Sequence, residues 1–163
     1  MSRKELVIAP ICEGALILTV SIVGWLTKSP LVFTSLGPTA FEMIETPKRP
    51  SARPYSVIVG HLIGVLAGFA ALWITNAWAT PGISSGRVAL PRVAAATISA
   101  LLTVLVTLLV HATQPAALST TLLISLGTFH RWQYGFTIMG AVVLLVFLGE
   151  PLRQWRSREK PGD

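Results

Sequence analysis

Ser29-Pro-Leu-Val-Phe-Thr-Ser-Leu-Gly-Pro-Thr-Ala-Phe-Glu-Met-Ile-Glu45 is a short apolar segment that Gly37-Pro38 interrupts near its start. A second short segment, His111-Ala-Thr-Gln-Pro-Ala-Ala-Leu-Ser-Thr-Thr-Leu-Leu-Ile-Ser-Leu-Gly127, is interrupted by Gln114-Pro115. The two prolines are 77 residues apart, and each segment lies between two long apolar runs. We therefore read the chain as a long–short–long unit that occurs twice, over about 6–79 and 88–150, followed by a tail over 151–163.

The long apolar runs approach the roughly 20 residues that a membrane-spanning helix needs. They are Leu6–Leu26, Val57–Trp78, Val88–Val110 and Trp132–Gly149. Only 12% of the residues are charged, against about 25% in soluble domains. The sequence predicts an all-α integral membrane protein that forms a single transmembrane domain over residues 1–163.

The basic residues, which give a net charge of +6, lie in short loops between the apolar runs. This is typical of topology signals rather than of nucleic-acid binding. If the short segments span, each half crosses three times and most basic residues share the cytoplasmic side: Arg3, Lys4, Lys48, Arg49, Arg53, Arg153, Arg156, Arg158 and Lys160. If they re-enter, the Lys48–Arg53 loop faces outside. The positive-inside rule favours spanning, with inverted halves and both termini cytoplasmic, in a bacterial inner membrane.

Inverted repeats with matching proline-broken segments are typical of transporters, whose substrate sites lie at the breaks. Helices that start near Pro38 and Pro115 would bring free N–H groups and positive dipole ends together mid-membrane, where they would bind an anion. The candidate substrate-binding residues are Ser35, Gly37, Pro38, Thr39, Ala40, Thr113, Gln114, Pro115, Ala116, Ser119 and Thr120. The alternative is that both prolines only kink or end helices that pack without a ligand.

Four ionisable residues lie within or at the ends of the apolar segments, namely Glu13, Glu42, His61 and His111. They serve either proton coupling or a structural network, and the first three are expected to cluster in the cytoplasmic half. Small residues at Gly60, Gly64 and Gly68 share one helix face and predict close helix packing. Ser99, Thr103, Thr107 and His111 form a polar stripe that either lines a pathway or bonds to backbone.

The sequence resembles the HPP family of small integral membrane proteins. The resemblance is carried by Ser35-Leu-Gly-Pro-Thr-Ala-Phe41, Pro50-Ser-Ala-Arg-Pro-Tyr55, Val59-Gly-His-Leu-Ile-Gly64 and Gln114-Pro-Ala-Ala-Leu-Ser-Thr-Thr121. It implies four transmembrane helices, with the short segments re-entrant, and a small monovalent anion as substrate, since plastid and cyanobacterial members are associated with nitrite and nitrate transport. The His-Pro-Pro motif of the family is replaced here by Thr113-Gln114-Pro115, which leaves the identity of the anion open.

Three classes of function follow from these patterns. The first is a transporter or channel for a small monovalent anion, nitrite or nitrate, bound at paired helix N-termini near the bilayer middle. The second is a membrane scaffold or accessory subunit. The third, an intramembrane enzyme, lacks a motif such as His-Glu-x-x-His, so we expect no catalytic residues, cofactor or metal. The expected partners are the anion, the lipid bilayer and a second copy of the chain in a homodimer.

Overall fold

The computed structural model describes residues 5–129 and 131–159 of the chain. Arg3, Lys4 and Lys160, which the positive-inside prediction places on the cytoplasmic side, lie outside the described residues. Six α-helices and three single 3-10 turns make up the described part. The helices are α1 (Glu5–Leu26), α2 (Leu36–Glu45), α3 (Pro54–Ile74), α4 (Leu90–Leu109), α5 (Ala116–Ser125) and α6 (Gln133–Glu159), and the turns are Pro50–Ala52, Ala77–Ala79 and Ile83–Ser85.

Four of these helices, α1, α3, α4 and α6, are long and apolar enough to cross a membrane. This confirms the prediction of an all-α membrane protein with four long helices and two short ones. The last helix is longer than the predicted apolar run, because it continues through Pro151 to Glu159. The described part of the predicted tail, residues 151–159, is therefore helical and continuous with α6.

Close packing of α3 against α5 fixes the direction of the second short helix. A Cβ placed on Gly60 would lie 2.7 Å from Gln114 Cβ, one on Gly64 would lie 2.6 Å from the Ala117 carbonyl oxygen, and one on Gly68 would lie 2.9 Å from Ile124 Cβ. The three small residues let the two helices approach to backbone contact. Because later residues of α3 meet later residues of α5, the two helices run parallel.

The first short helix packs in the corresponding way against α6. Phe33, just before α2, stacks edge-on against Phe129, which precedes α6, with ring centroids 6.3 Å apart. Near the end of α2, the Ile44 carbonyl accepts a bond from Arg156 near the end of α6. The two helices therefore run parallel, and each short helix packs on a long helix of the other half.

The short segments cross the bundle from one end to the other. Tyr55, at the start of α3, donates to the Val110 carbonyl just after α4, whereas the Ile83 N–H after α3 bonds to the Leu126 carbonyl after α5. We call the end that holds the 46–53 turn and the last turns of α6 the basic end. Residues 27–45 run from the opposite end to the basic end, and residues 110–127 run back.

Each half therefore crosses three times, and the two halves are inverted. The re-entrant arrangement implied by the family resemblance is not what the structure contains. Each crossing by a short segment combines extended backbone with a helix of 10 residues, about 15 Å long and so half of the bilayer core.

Candidate functional site

The two broken segments touch through a buried hydrogen bond at the centre of the bundle. Ser35 Oγ, at the start of α2, lies 2.8 Å from Thr120 Oγ1 in α5. Neither residue has any accessible surface. The sequence placed both among the binding residues, and the fold brings them into direct contact although they are 85 positions apart.

The two short helices overlap side by side at this contact. Further along α2, the Glu42 carboxyl lies within interaction range of the Gln114 side chain, which precedes α5. Position 35 thus meets position 120 while position 42 meets position 114, as antiparallel neighbours do. The sequence predicted that the two helix N-termini meet near the middle, and in the structure they pass each other side by side. The N-terminus of α2 faces the opposite end of the bundle, and that of α5 faces the basic end.

Gln114 supplies a polar group at the start of α5. Its Oε1 accepts a 3.4 Å hydrogen bond from the Ala116 N–H, so the Gln114 side chain caps the start of α5. The residue is 3% exposed. Its Nε2 and the Glu42 Oε2 both lack a partner within 3.5 Å among the described residues, and because the two side chains lie within interaction range of each other, the Glu42 carboxyl is the acceptor available to this buried donor.

Space is available at the start of α2. No described atom lies within 4 Å of a Cβ built on Gly37. This glycine is half-buried and lies in the first turn of α2, where backbone N–H groups lack intrahelical partners. In this turn the Leu36 and Thr39 N–H groups bond to the Phe33 and Ser35 carbonyls, and Pro38 has no N–H. The Gly37 N–H is therefore the donor that the first turn of α2 presents to the open space.

His61 joins the contact through Thr39. His61 Nε2 lies 3.3 Å from Thr39 Oγ1, and its Nδ1 lies 2.8 Å from the Val57 carbonyl oxygen. The Thr39 hydroxyl in turn donates to the Ser35 carbonyl at 2.8 Å. We call His61, Thr39, Ser35 and Thr120 the central polar chain. It links α3, α2 and α5, and all four residues are buried.

The remaining candidates lie apart from this chain. Thr113, Pro38, Pro115 and His111 are exposed, Ser119 is half-buried, and Ala40 and Ala116 are buried apolar packing residues. His111 occupies a left-handed turn after α4, with φ of 56°. Glu42 accepts a bond from Ser51 at 3.2 Å, and Glu13 faces Glu45. Glu13, Glu42 and His61, which the sequence predicts to cluster, thus each interact with different residues.

The hydroxyls of α4 bond to their own helix. Thr103 donates to the Ser99 carbonyl and Thr107 to the Thr103 carbonyl, at 2.8 and 2.7 Å. Of the two readings of this stripe, the structure thus supports backbone bonding.

Two arginines are buried and have structural roles that the sequence did not predict. Arg92 donates to the Ser125 and Thr80 carbonyls at 3.1 and 2.6 Å. Arg156 donates to the Ile44 carbonyl at 3.3 Å and lies 3.7 Å from a Glu45 oxygen. Each arginine thus binds the C-terminal end of one short helix, where the helix dipole is negative. The matched pattern at α2 and α5 is visible only once the helices are packed.

A model of a protein family described as "HPP, transmembrane region" matches residues 1–159 of the chain. No curated protein and no solved structure matches it.

Proposed function

This chain belongs to the HPP family of transmembrane proteins, and we propose that it transports a small monovalent anion, nitrite or nitrate, through the contact between its two broken segments. The observation that carries the proposal is the buried contact of Ser35 with Thr120, where two inverted crossings meet. Transporters built from inverted repeats bind substrate where such interrupted segments meet.

Two donors near the contact suit an anion. The Gly37 N–H in the first turn of α2 lies beside open space, and Gln114 Nε2 is a buried donor that also lies within reach of the Glu42 carboxyl. Neither short segment contains a lysine or arginine between positions 29 and 45 or between 111 and 127. Neutral donors bind a singly charged anion weakly enough to release it, as transport requires.

Because the two short helices are antiparallel and overlap, the pathway has the positive N-terminal end of one helix dipole facing each side of the bundle. An anion from the opposite end of the bundle meets the first turn of α2, and one from the basic end meets the start of α5. Nitrite or nitrate is the substrate that the family resemblance implies. Gln114, in place of the middle proline of the His-Pro-Pro motif, adds an amide donor that a proline lacks.

Uptake into liposomes containing the purified protein tests the proposal. Nitrite, nitrate, chloride and formate are compared for the wild type, Ser35→Ala and Thr120→Val, with Ser21→Ala and Thr97→Val as matched controls. The two control hydroxyls donate only to carbonyls of their own helices. We expect saturable uptake of nitrite or nitrate that the first two variants weaken about tenfold, from the loss of a hydrogen bond to a charged ligand, and the controls leave unchanged.

Absence of uptake by folded, inserted protein would instead favour the scaffold reading. Equal loss of uptake in all four variants would show that the Ser35–Thr120 contact is not the site.

A further inference from the structure

Glu42 lies where the proposed pathway opens toward the basic end. Its Oε1 accepts a hydrogen bond of 3.2 Å from Ser51, which belongs to the turn at Pro50–Ala52. Its Oε2 is buried and has no hydrogen-bond partner among the residues that the structure describes. The carboxyl also lies within interaction range of the Gln114 side chain, which caps the start of α5. One carboxylate oxygen is therefore held by the turn, and the other is available to the Gln114 amide.

The Gln114 amide is the side-chain donor at the start of α5. The residue is 3% exposed, and its Oε1 already accepts from the Ala116 N–H. Its Nε2 has no partner within 3.5 Å in the described part of the chain. An anion that reaches the start of α5 from the basic end meets this Nε2, and so does the Glu42 carboxylate. The substrate and Glu42 are therefore alternative acceptors for the same buried donor.

The charges near the start of α5 favour one anionic group there rather than two. Residues 46–149, which include α3, α4 and α5, contain no aspartate or glutamate, so the carboxylate beside Gln114 comes from α2. Neither short segment contains a lysine or arginine that could neutralise a second negative charge. Two negative groups in a poorly solvated place repel each other strongly. A bound anion and an ionised Glu42 carboxylate therefore exclude each other at Gln114.

Glu42 has a second charged neighbour on the side of the turn. Arg49 is exposed in the turn that follows α2 and lies within electrostatic range of the carboxyl. Because Arg49 and Ser51 belong to the same turn, a carboxylate that leaves Gln114 keeps polar partners at the basic end.

We propose that Glu42 is a tethered competitor of the transported anion, and that its carboxylate and the anion bind the Gln114 amide in turn. This inference rests on the proposed anion transport. In the absence of the anion, the carboxylate binds Gln114 and closes the start of α5 toward the basic end. An anion that binds Gln114 displaces the carboxylate toward Arg49, and the return of the carboxylate releases the anion. Because the competitor is part of α2, it acts at a high effective concentration, which keeps anion binding weak and reversible.

Uptake of nitrate by liposomes at one fixed pH tests this inference with a change of charge and almost no change of shape. Glu42→Gln replaces the carboxylate with a neutral amide of the same size, and Glu159→Gln makes the same change at an exposed position at the end of α6. We expect Glu42→Gln to lower the nitrate concentration for half-maximal uptake about tenfold, because the charge of the competing acceptor is lost. Glu159→Gln should leave that concentration within about twofold of the wild type, because water and salt screen its charge.

The outcomes separate this inference from the transport proposal. An equal half-maximal concentration for Glu42→Gln and the wild type, in protein that transports nitrate, would overturn the inference and leave the transport proposal intact. Uptake by Glu42→Gln alone would support the inference, because the carboxylate would then keep the wild type closed. Absence of uptake by both folded proteins would overturn the transport proposal and this inference with it.

Solid-state NMR in lipid tests the same exchange of partners without a change at Glu42. Glutamate carboxyl groups are labelled with carbon-13 and glutamine amides with nitrogen-15. The Glu150–Gln154 pair, with 2.9 Å between Oε1 and Nε2, serves as the internal reference, and Gln154→Met assigns its signal.

Without nitrate, we expect dipolar contacts from Glu42 to Gln114 and from Glu150 to Gln154. A nitrate concentration that saturates uptake should remove the first contact and retain the second. A Glu42–Gln114 contact that persists under these conditions would show that Glu42 is a permanent structural partner of Gln114, and would overturn the inference.

Discussion

Gly64 is a residue at which the fold depends on the absence of a side chain. A Cβ at this position would lie 2.6 Å from the Ala117 carbonyl oxygen in α5, whereas one at Gly140 in α6 meets nothing described within 4 Å. We therefore expect Gly64→Ala to lower the free energy of unfolding by about 1–3 kcal/mol, since the helices must separate. Gly140→Ala should be neutral or stabilising by up to about 1 kcal/mol.

Thermal unfolding of both variants in detergent measures the two changes in stability. The difference between the variants reports how closely α5 packs on α3. Equal stability of the two variants would mean that α3 and α5 are not in backbone contact.

The Ser35–Thr120 hydrogen bond also has a structural role that can be separated from transport. Removing either hydroxyl alone leaves the other buried without a partner, at a cost of about 1–2 kcal/mol. The double variant Ser35→Ala/Thr120→Val removes both, so its loss of stability should be smaller than the sum of the single losses by about 1 kcal/mol. A double-mutant cycle of unfolding free energies measures this coupling. Strict additivity would show that the two hydroxyls do not interact.

At the scale of elements, a buried arginine holds the C-terminal end of each short helix. Arg156 is 1% exposed and binds the Ile44 carbonyl, whereas Arg158, two residues later, is exposed. We expect Arg156→Met to cost about 2–3 kcal/mol, because a charged hydrogen bond and the favourable interaction with the α2 dipole are both lost.

Arg158→Met is the matched control and should stay within about 0.5 kcal/mol of the wild type. Unfolding midpoints of the two variants in detergent provide the comparison. A stable Arg156→Met protein would mean that the end of α2 needs no cation.

The elements also show how far the sequence could predict this structure. The long helices follow from the apolar runs, and the ends of α1 and α4 lie within two residues of the predicted Leu6–Leu26 and Val88–Val110. The prolines located both breaks, since proline is favoured at the start of a helix, and α2 and α5 begin within two residues of Pro38 and Pro115. The side-by-side geometry of the contact between the breaks could not be predicted from the sequence. The position of α2 along α5 depends on how α2 packs on α6 and how α5 packs on α3. The link from Thr39 to His61 joins residues 22 positions apart on separate helices, and no local pattern encodes it.

At the scale of the whole molecule, the fold makes one topological prediction that separates six crossings from four. Arg49, in the exposed turn after α2, lies at the basic end with Arg158, while Arg87, in the loop before α4, lies at the opposite end. In a re-entrant arrangement the turn at Arg49 would lie on the same side as the α1–α2 loop, and Arg87 and Arg158 would both lie on the other side.

Single cysteines at Arg49, Arg87 and Arg158, in a Cys12→Ser background, can be labelled with a membrane-impermeant maleimide in vesicles of known orientation. We expect Arg49→Cys and Arg158→Cys to react from the same side and Arg87→Cys from the other, with the first two reacting from the cytoplasmic side as the positive-inside rule requires. Reaction of Arg49→Cys and Arg158→Cys from different sides would mean that the second short segment does not cross, because only α3, α4 and α6 would then cross between the two positions. The inverted relation of the halves, on which the transport proposal depends, would then be lost.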